Sequence, residues 1–161
     1  MRLLAFLLLG TFFANAQYVE DVRNSFKNAR LNEENAIVFN ELMQKEVKID
    51  ANLKLAYFGA SEIMLADYGV NIPKKISLFK IGRDHLEDAI KASPNDVEIR
   101  LVRLIIQNQI PSFLKYKQNI EEDKKFIIAK YKNVSNSLKA YIDQSARDLK
   151  IFTKEELNQS K

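Results

Sequence analysis

Apolar residues recur at helical spacing along almost the whole chain, and this periodicity restricts the fold more than any other feature. Steps of three and four positions place Val19, Val22 and Phe26 on one face of a first helix, and Ala36 and Phe39 on one face of a second. Strict alternation of apolar and polar residues over the length of a strand is hard to find. Because an apolar face repeats about every 3.6 residues in a helix and about every two in a strand, the pattern predicts an all-α protein.

Capping and breaking residues divide this pattern into about seven helices. Asn32 and Asp50 are of the residue types that cap helix N-termini, and Gly69 is placed to end the third helix. Pro73 lies in a first turn, where the backbone N–H that proline lacks would have no partner within the helix. Short connections favour antiparallel neighbours, so we expect stacked antiparallel pairs. The predicted helices cover about residues 18–30, 33–48, 51–68, 71–92, 97–109, 112–131 (with a bend near Asn119) and 135–150, before a short tail helix with a capping box at Thr153 and Glu156.

The first 16 residues have the features of a removable export signal. Arg2 precedes an apolar run over residues 3–13, which is shorter than the roughly 20 apolar residues that a membrane-spanning helix needs. Ala14 and Ala16 then supply the small residues of a signal-peptidase site. The alternative, a buried amphipathic helix, would need a polar face that the run does not have. We therefore predict cleavage after Ala16, a single helical domain over residues 17–161, and a periplasmic or secreted protein without a transmembrane segment.

The composition excludes several kinds of metal chemistry. The chain has 161 residues and no Cys, which excludes thiolate metal sites, iron–sulfur clusters and disulfides. His85 is the single histidine, whereas zincin and ferritin-like di-iron sites each need two. We therefore expect His85 to be a core or boundary residue, and we predict no metal and no cofactor.

No arrangement of residues typical of an enzyme stands out. The glycines of the predicted mature chain are isolated, so there is no glycine-rich phosphate loop. Two Ser-x-x-Lys tetrads begin at Ser77 and Ser112, but the Lys-Thr-Gly triad that accompanies this tetrad in penicillin-binding proteins is missing. Basic and aromatic residues interleave between Lys115 and Lys132, yet acidic residues interrupt them and the net charge is only +4. We therefore predict neither an enzyme nor a nucleic-acid partner.

One stretch resembles a tetratricopeptide repeat, in which an Ala, a Leu-like residue, three variable positions and a Pro end the second helix. The positions that carry the resemblance are Gly59, Ala60, Gly82, Leu86, Ala89, Ile90 and Pro94. The chain departs from the repeat at Ala56, where the repeat has an aromatic residue, and in the longer distance between the two halves. The resemblance covers about residues 53–96, and it implies stacked helix pairs but no reaction.

A second resemblance covers more of the chain and is to a small family of uncharacterised exported helical proteins of Gram-negative bacteria. It implies the same helical architecture and no particular activity. It rests on Pro94-Asn95, Glu98-Ile99-Arg100, Arg103, Pro111, Phe113-Leu114, Tyr116, Asp123-Lys124 and Phe126-Ile127.

Two arginines lie in a very apolar predicted helix, residues 97–109. Arg100 and Arg103 are three positions apart and so lie on neighbouring parts of one helix surface. Because a buried guanidinium group needs partners, two alternatives follow. In the first, the arginines pair with carboxylates of other helices, for which Glu122, Asp123, Glu62 and Glu87 are candidates. In the second, they bind the carboxylate or phosphate of a ligand.

The sequence thus favours recognition over catalysis. We predict a protein- or peptide-binding module of the cell envelope, and as the alternative a carrier of a small anionic ligand held by buried arginines inside the bundle. The residues predicted to contribute to binding are Arg100, Arg103, Phe113, Tyr116 and Asp123.

Overall fold

The computed structural model describes residues 17–68, 71–153 and 155–156. Its residues form seven α-helices and two 3₁₀ turns and no β-strand, which confirms the all-α prediction. The predicted export signal and Gly69 lie outside the described residues. The helices are α1 (17–28), α2 (Glu33–Gln44), α3 (Ala51–Tyr68), α4 (Ile72–Ala92), α5 (Val97–Gln109), α6 (Ile120–Lys130) and α7 (Asn136–Leu149), and the 3₁₀ turns are Ser112–Leu114 and Tyr131–Asn133.

Most of these helices begin where a capping side chain accepts hydrogen bonds from the first free backbone N–H groups. The side chain of Asn32 accepts a hydrogen bond from the Asn35 N–H, and Asp96 accepts from two N–H groups of α5. Thr153 and Glu156 each accept a hydrogen bond from the other's backbone N–H, as the predicted capping box requires. These local bonds explain why the starts of several helices could be located from the sequence.

The prediction of one helix over residues 112–131 is wrong. Ser112–Leu114 is a short 3₁₀ turn, and Lys115 then takes a left-handed conformation with φ 51°, so the chain is not helical again until Ile120. Gln107 holds the start of α6, because its carboxamide bonds both the side chain and the backbone N–H of Asn119. These contacts come from a neighbouring helix, which the periodicity of the segment does not reveal. The second predicted helix is also shorter than expected, ending at Gln44 rather than near residue 48.

Helices α3 and α4 form a tightly packed antiparallel pair. Asn52 at the start of α3 bonds Ser93 after the end of α4, whereas Lys75 in the first turn of α4 bonds the Asp67 carbonyl near the end of α3. Midway, Gly59 and Gly82 face each other so closely that a Cβ atom added to Gly59 would lie 2.4 Å from the Gly82 carbonyl oxygen. The absence of side chains at this crossing therefore sets the distance between the two helices.

Helix α5 is the centre of the fold. Every residue from Val97 to Gln107 is buried, and α5 contacts α3, α4, α6 and α7. A helix that is buried all round leaves no face for its polar residues to reach water, so each of them needs a partner within the protein.

Candidate functional site

Arg100 and Arg103 meet on a single carboxylate. Arg103 donates from Nε and Nη2 to the two oxygens of Asp123, at 2.7 and 2.8 Å, and Arg100 Nη1 donates to Asp123 Oδ1 at 2.8 Å. The Asp123 side chain has no exposed surface. Asp123 is one of the partners that the sequence predicts for the arginines, and the structure brings these three residues together across α5 and α6.

Glu87 connects this cluster to α4. Arg103 Nη1 donates to one of its carboxylate oxygens at 3.0 Å, and the Tyr116 hydroxyl donates to the other at 2.6 Å. Arg100 is further bonded to Glu122 at 2.8 Å and lies over the ring of Phe126. We call Arg100, Arg103, Glu87, Tyr116, Glu122 and Asp123 the arginine network.

The electrostatics of the arginine network favour its charged forms. Burial disfavours the charge on Arg103, but the hydrogen bond and the charge of Asp123 outweigh burial and raise the Arg103 pKa. The hydrogen bond from Arg100 lowers the pKa of Glu122. Burial, followed by the hydrogen bond to Glu87, raises the pKa of Tyr116, so this hydroxyl stays protonated and acts as a donor.

The guanidinium groups of the network are thus held by protein carboxylates. Among the described residues, no fully buried side-chain nitrogen or oxygen is left without a hydrogen-bond partner. In this arrangement the network joins α4, α5 and α6, which corresponds to the first alternative for the arginines, pairing between helices.

A second buried ion pair was not found by sequence reasoning. Arg23 on α1 forms a bidentate pair with Glu98 on α5, at 2.8 and 2.6 Å, and the Tyr57 hydroxyl donates to Glu98 at 2.7 Å. A signal was available, since Glu98 occupies the first turn of the same apolar helix. However, the helix dipole alone favours an acidic residue in the first turn. The position of Glu98 in the sequence therefore does not reveal that it has a buried partner.

His85 lies at the edge of the α3–α4 pair. Its Nδ1 is 2.6 Å from Glu62 Oε2, and its ring stacks on Phe58. Burial raises the pKa of Glu62, and the hydrogen bond with His85 opposes this shift only in part. No group of three or more His, Asp or Glu side chains within the described ranges is placed to hold a metal ion.

Phe113 lies apart from the arginine network, in an apolar groove of about 390 Å³. The groove is formed by the end of α3, the start of α4, the end of α5 and the first 3₁₀ turn, and its polar lining residues are Asp67, Lys75 and Gln109. Ile72 and Phe113 are 72% and 78% exposed at its rim. The other residues that line the groove are Ile63, Met64, Ala66, Ile76, Phe79, Ile106, Ile110, Pro111 and Leu114.

The five predicted binding residues therefore divide between two places. Arg100, Arg103, Tyr116 and Asp123 belong to the arginine network, and only Phe113 lines the groove. The isoleucines of the groove were missed because each of them also fits the apolar stripe of an ordinary helix.

No protein-family model, no curated protein and no solved structure matches the chain. None of the helices in the part of the chain that the structure describes combines the length and apolarity needed to cross a bilayer.

Proposed function

We propose that this protein is an exported, non-enzymatic binding module of the cell envelope, built from stacked helix pairs similar to tetratricopeptide repeats. Its binding surface is the apolar groove between α3, α4 and α5, and its ligand is an apolar segment of a protein or peptide. The export signal predicted from residues 1–16 supports the location.

The exposure of large apolar side chains around the groove carries this proposal. Ile72, Ile76 and Phe113 are all exposed, although each has an apolar side chain that would be stabilised by leaving water. Contiguous apolar patches on a protein surface mark interaction sites, whereas apolar residues scattered singly do not. Because the lining is apolar with three polar residues, it suits apolar side chains better than a small charged ligand.

The pairing of α3 with α4 supports the comparison with helical repeats. The two helices are antiparallel and packed through Gly59 and Gly82, two of the positions that carry the tetratricopeptide resemblance. Helical repeat proteins bind partners on surfaces formed between successive helices, and the groove lies in such a place.

The alternative, a carrier whose buried arginines bind a small anion, has less support. A ligand that displaced Asp123 from Arg100 and Arg103 would leave a fully buried carboxylate without its partners.

A site-specific photo-crosslinker tests the proposal. Placed at Phe113 in the full chain and activated in envelopes of the producing cell, it should form a covalent product with a protein. At Lys91, whose side chain is 75% exposed at the far end of α4, it should not. The substitution Ile76→Asp should abolish the product, and the matched control Ser77→Asp, next to it but outside the groove, should retain it. Failure of the Phe113 position to form any product would contradict the proposal.

A further inference from the structure

The outward face of α2 carries an exposed apolar pair flanked by acidic residues. Helix α2 packs on α3 through Ala36, Phe39, Asn40 and Met43. On the opposite side, Ile37 and Val38 are 42% and 53% exposed. Exposed glutamates lie one turn before and one turn after this apolar pair, at Glu34 and Glu41. Positions 34, 37, 38 and 41 share one helix face, since they follow the helical spacing of three and four.

Basic residues flank the groove. Segment 71–80, which supplies its α4 side, and segment 110–118, which contains the 3₁₀ turn, together carry five Lys residues and no Asp or Glu. Lys75 lines the groove and Lys74 is exposed beside it. The one acidic side chain in the lining is Asp67, whereas segment 31–44, which contains α2, has three Glu and no Lys or Arg.

We propose that the groove binds α2 of a second copy of this chain. The inference deepens the proposed function and rests on it, because it names the occupant of the same groove. Ile37 and Val38 of one copy lie against the apolar lining of the other, and Glu34 and Glu41 lie near the lysines at its rim. An amphipathic helix in an apolar groove is a common mode of recognition, and charges at the rim orient the helix and select its partner.

The contact joins two different surfaces of the chain. No residue of α2 lines the groove, and α2 packs on α3 and, through Phe39, against Phe26 of α1. After two copies have joined, one groove and one α2 face therefore remain free for further copies. Contacts of this head-to-tail kind continue to add copies unless the chain closes into a ring.

Charge reversal tests the inference at side chains outside the buried core. Glu34, Glu41 and Lys74 are exposed, and Lys75 is half-buried with its Nζ bonded to the Asp67 carbonyl. In one variant Glu34 and Glu41 become Lys, and in the other Lys74 and Lys75 become Glu. The wild-type chain should show an average mass that rises with concentration in sedimentation equilibrium, more strongly at low salt than at high salt. Each variant alone should reach the same average mass only at a protein concentration at least about tenfold higher. The reason is that its α2 face and its groove rim then carry charges of the same sign, which repel.

An equimolar mixture of the two variants should associate as the wild type does, since each groove then finds an α2 face of opposite charge. Circular dichroism checks that both variants are folded, and Ala129→Asp on the exposed side of α6 is the control that should associate normally. A wild type that stays monomeric, variants that associate normally, or a mixture that fails to recover would each overturn the inference.

The mass of the photo-crosslinked product separates this inference from the proposed function. A product of twice the chain mass supports both. A monomeric wild type with a Phe113 product of another mass overturns the second copy as occupant and leaves the groove as a binding site. No product at all contradicts the groove itself.

Discussion

Nε of Arg103 on α5 lies 2.7 Å from Oδ2 of Asp123 on α6, and the aspartate side chain has no exposed surface. Arg100 donates to the other oxygen of the same carboxylate. One carboxylate thus compensates two buried guanidinium groups, with Glu87 and Glu122 at the edges of the network. Removing one member of such a cluster destabilises the fold, because it leaves an uncompensated buried charge.

Asp123→Asn should lower the free energy of unfolding by about 3–5 kcal/mol, because Arg100 and Arg103 lose the charge that both share. Urea denaturation followed by circular dichroism measures the change. Glu122→Gln is the matched control, because its side chain is 59% exposed, and it should cost less than about 1 kcal/mol. Equal losses for the two substitutions would contradict a special role for the buried carboxylate.

Gly59→Ala should destabilise the protein even though alanine is the better helix former by about 1 kcal/mol. The new Cβ would lie 2.4 Å from the Gly82 carbonyl oxygen and 2.8 Å from the Leu86 nitrogen, both backbone atoms that move only with the whole of α4. We expect a net loss of about 1–3 kcal/mol, the usual range for overpacking, measured by thermal unfolding. A gain in stability would mean that α3 and α4 separate without cost. Ser77→Ala, on the exposed side of α4, is the control and should change little.

Glu62→Gln should change how stability depends on pH. Burial raises the pKa of Glu62 above its ordinary 4.5, so the folded state binds this proton more tightly than the unfolded state. The contribution of Glu62 is therefore fully present below the unfolded pKa and is lost as the pH rises through the higher folded pKa. The stability of Glu62→Gln relative to the wild type should accordingly increase as the pH rises past 4.5. Denaturant titrations at several pH values test this, and a difference that stays flat or decreases would be inconsistent with the raised pKa.

Phe113→Ala should separate binding from stability. Phe113 is 78% exposed, so its removal should change the free energy of unfolding by no more than about 0.5 kcal/mol. Phe79→Ala, a buried residue of the same groove, should cost about 3–5 kcal/mol. The concentration dependence of the average mass should weaken in Phe113→Ala while its unfolding curve stays that of the wild type. A large loss of stability would show instead that Phe113 supports the fold.

The prediction of the sixth helix shows where sequence reasoning fails in this chain. Pro111 and Ser112 have the local features of a helix start, yet the segment makes only a 3₁₀ turn. The α-helix begins later, where Gln107 bonds Asn119 and where Asp123 can reach the arginines of α5. The local preference was overridden by contacts with a residue 12 positions away in the chain.

The sequence by itself determined the helical class and several helix starts, because a cap and the N–H group it bonds lie within three residues of each other, as Asn32 and Asn35 do. It also identified the arginines that need partners, because most of the residues around them in α5 are apolar. Only the tertiary structure decided which carboxylates serve them, since Glu87, Glu122 and Asp123 are brought to α5 from 16 to 23 positions away. The groove likewise exists only in the folded chain, because parts of three helices and a 3₁₀ turn supply its walls. Each of these parts alone has the sequence of an ordinary helix face or turn.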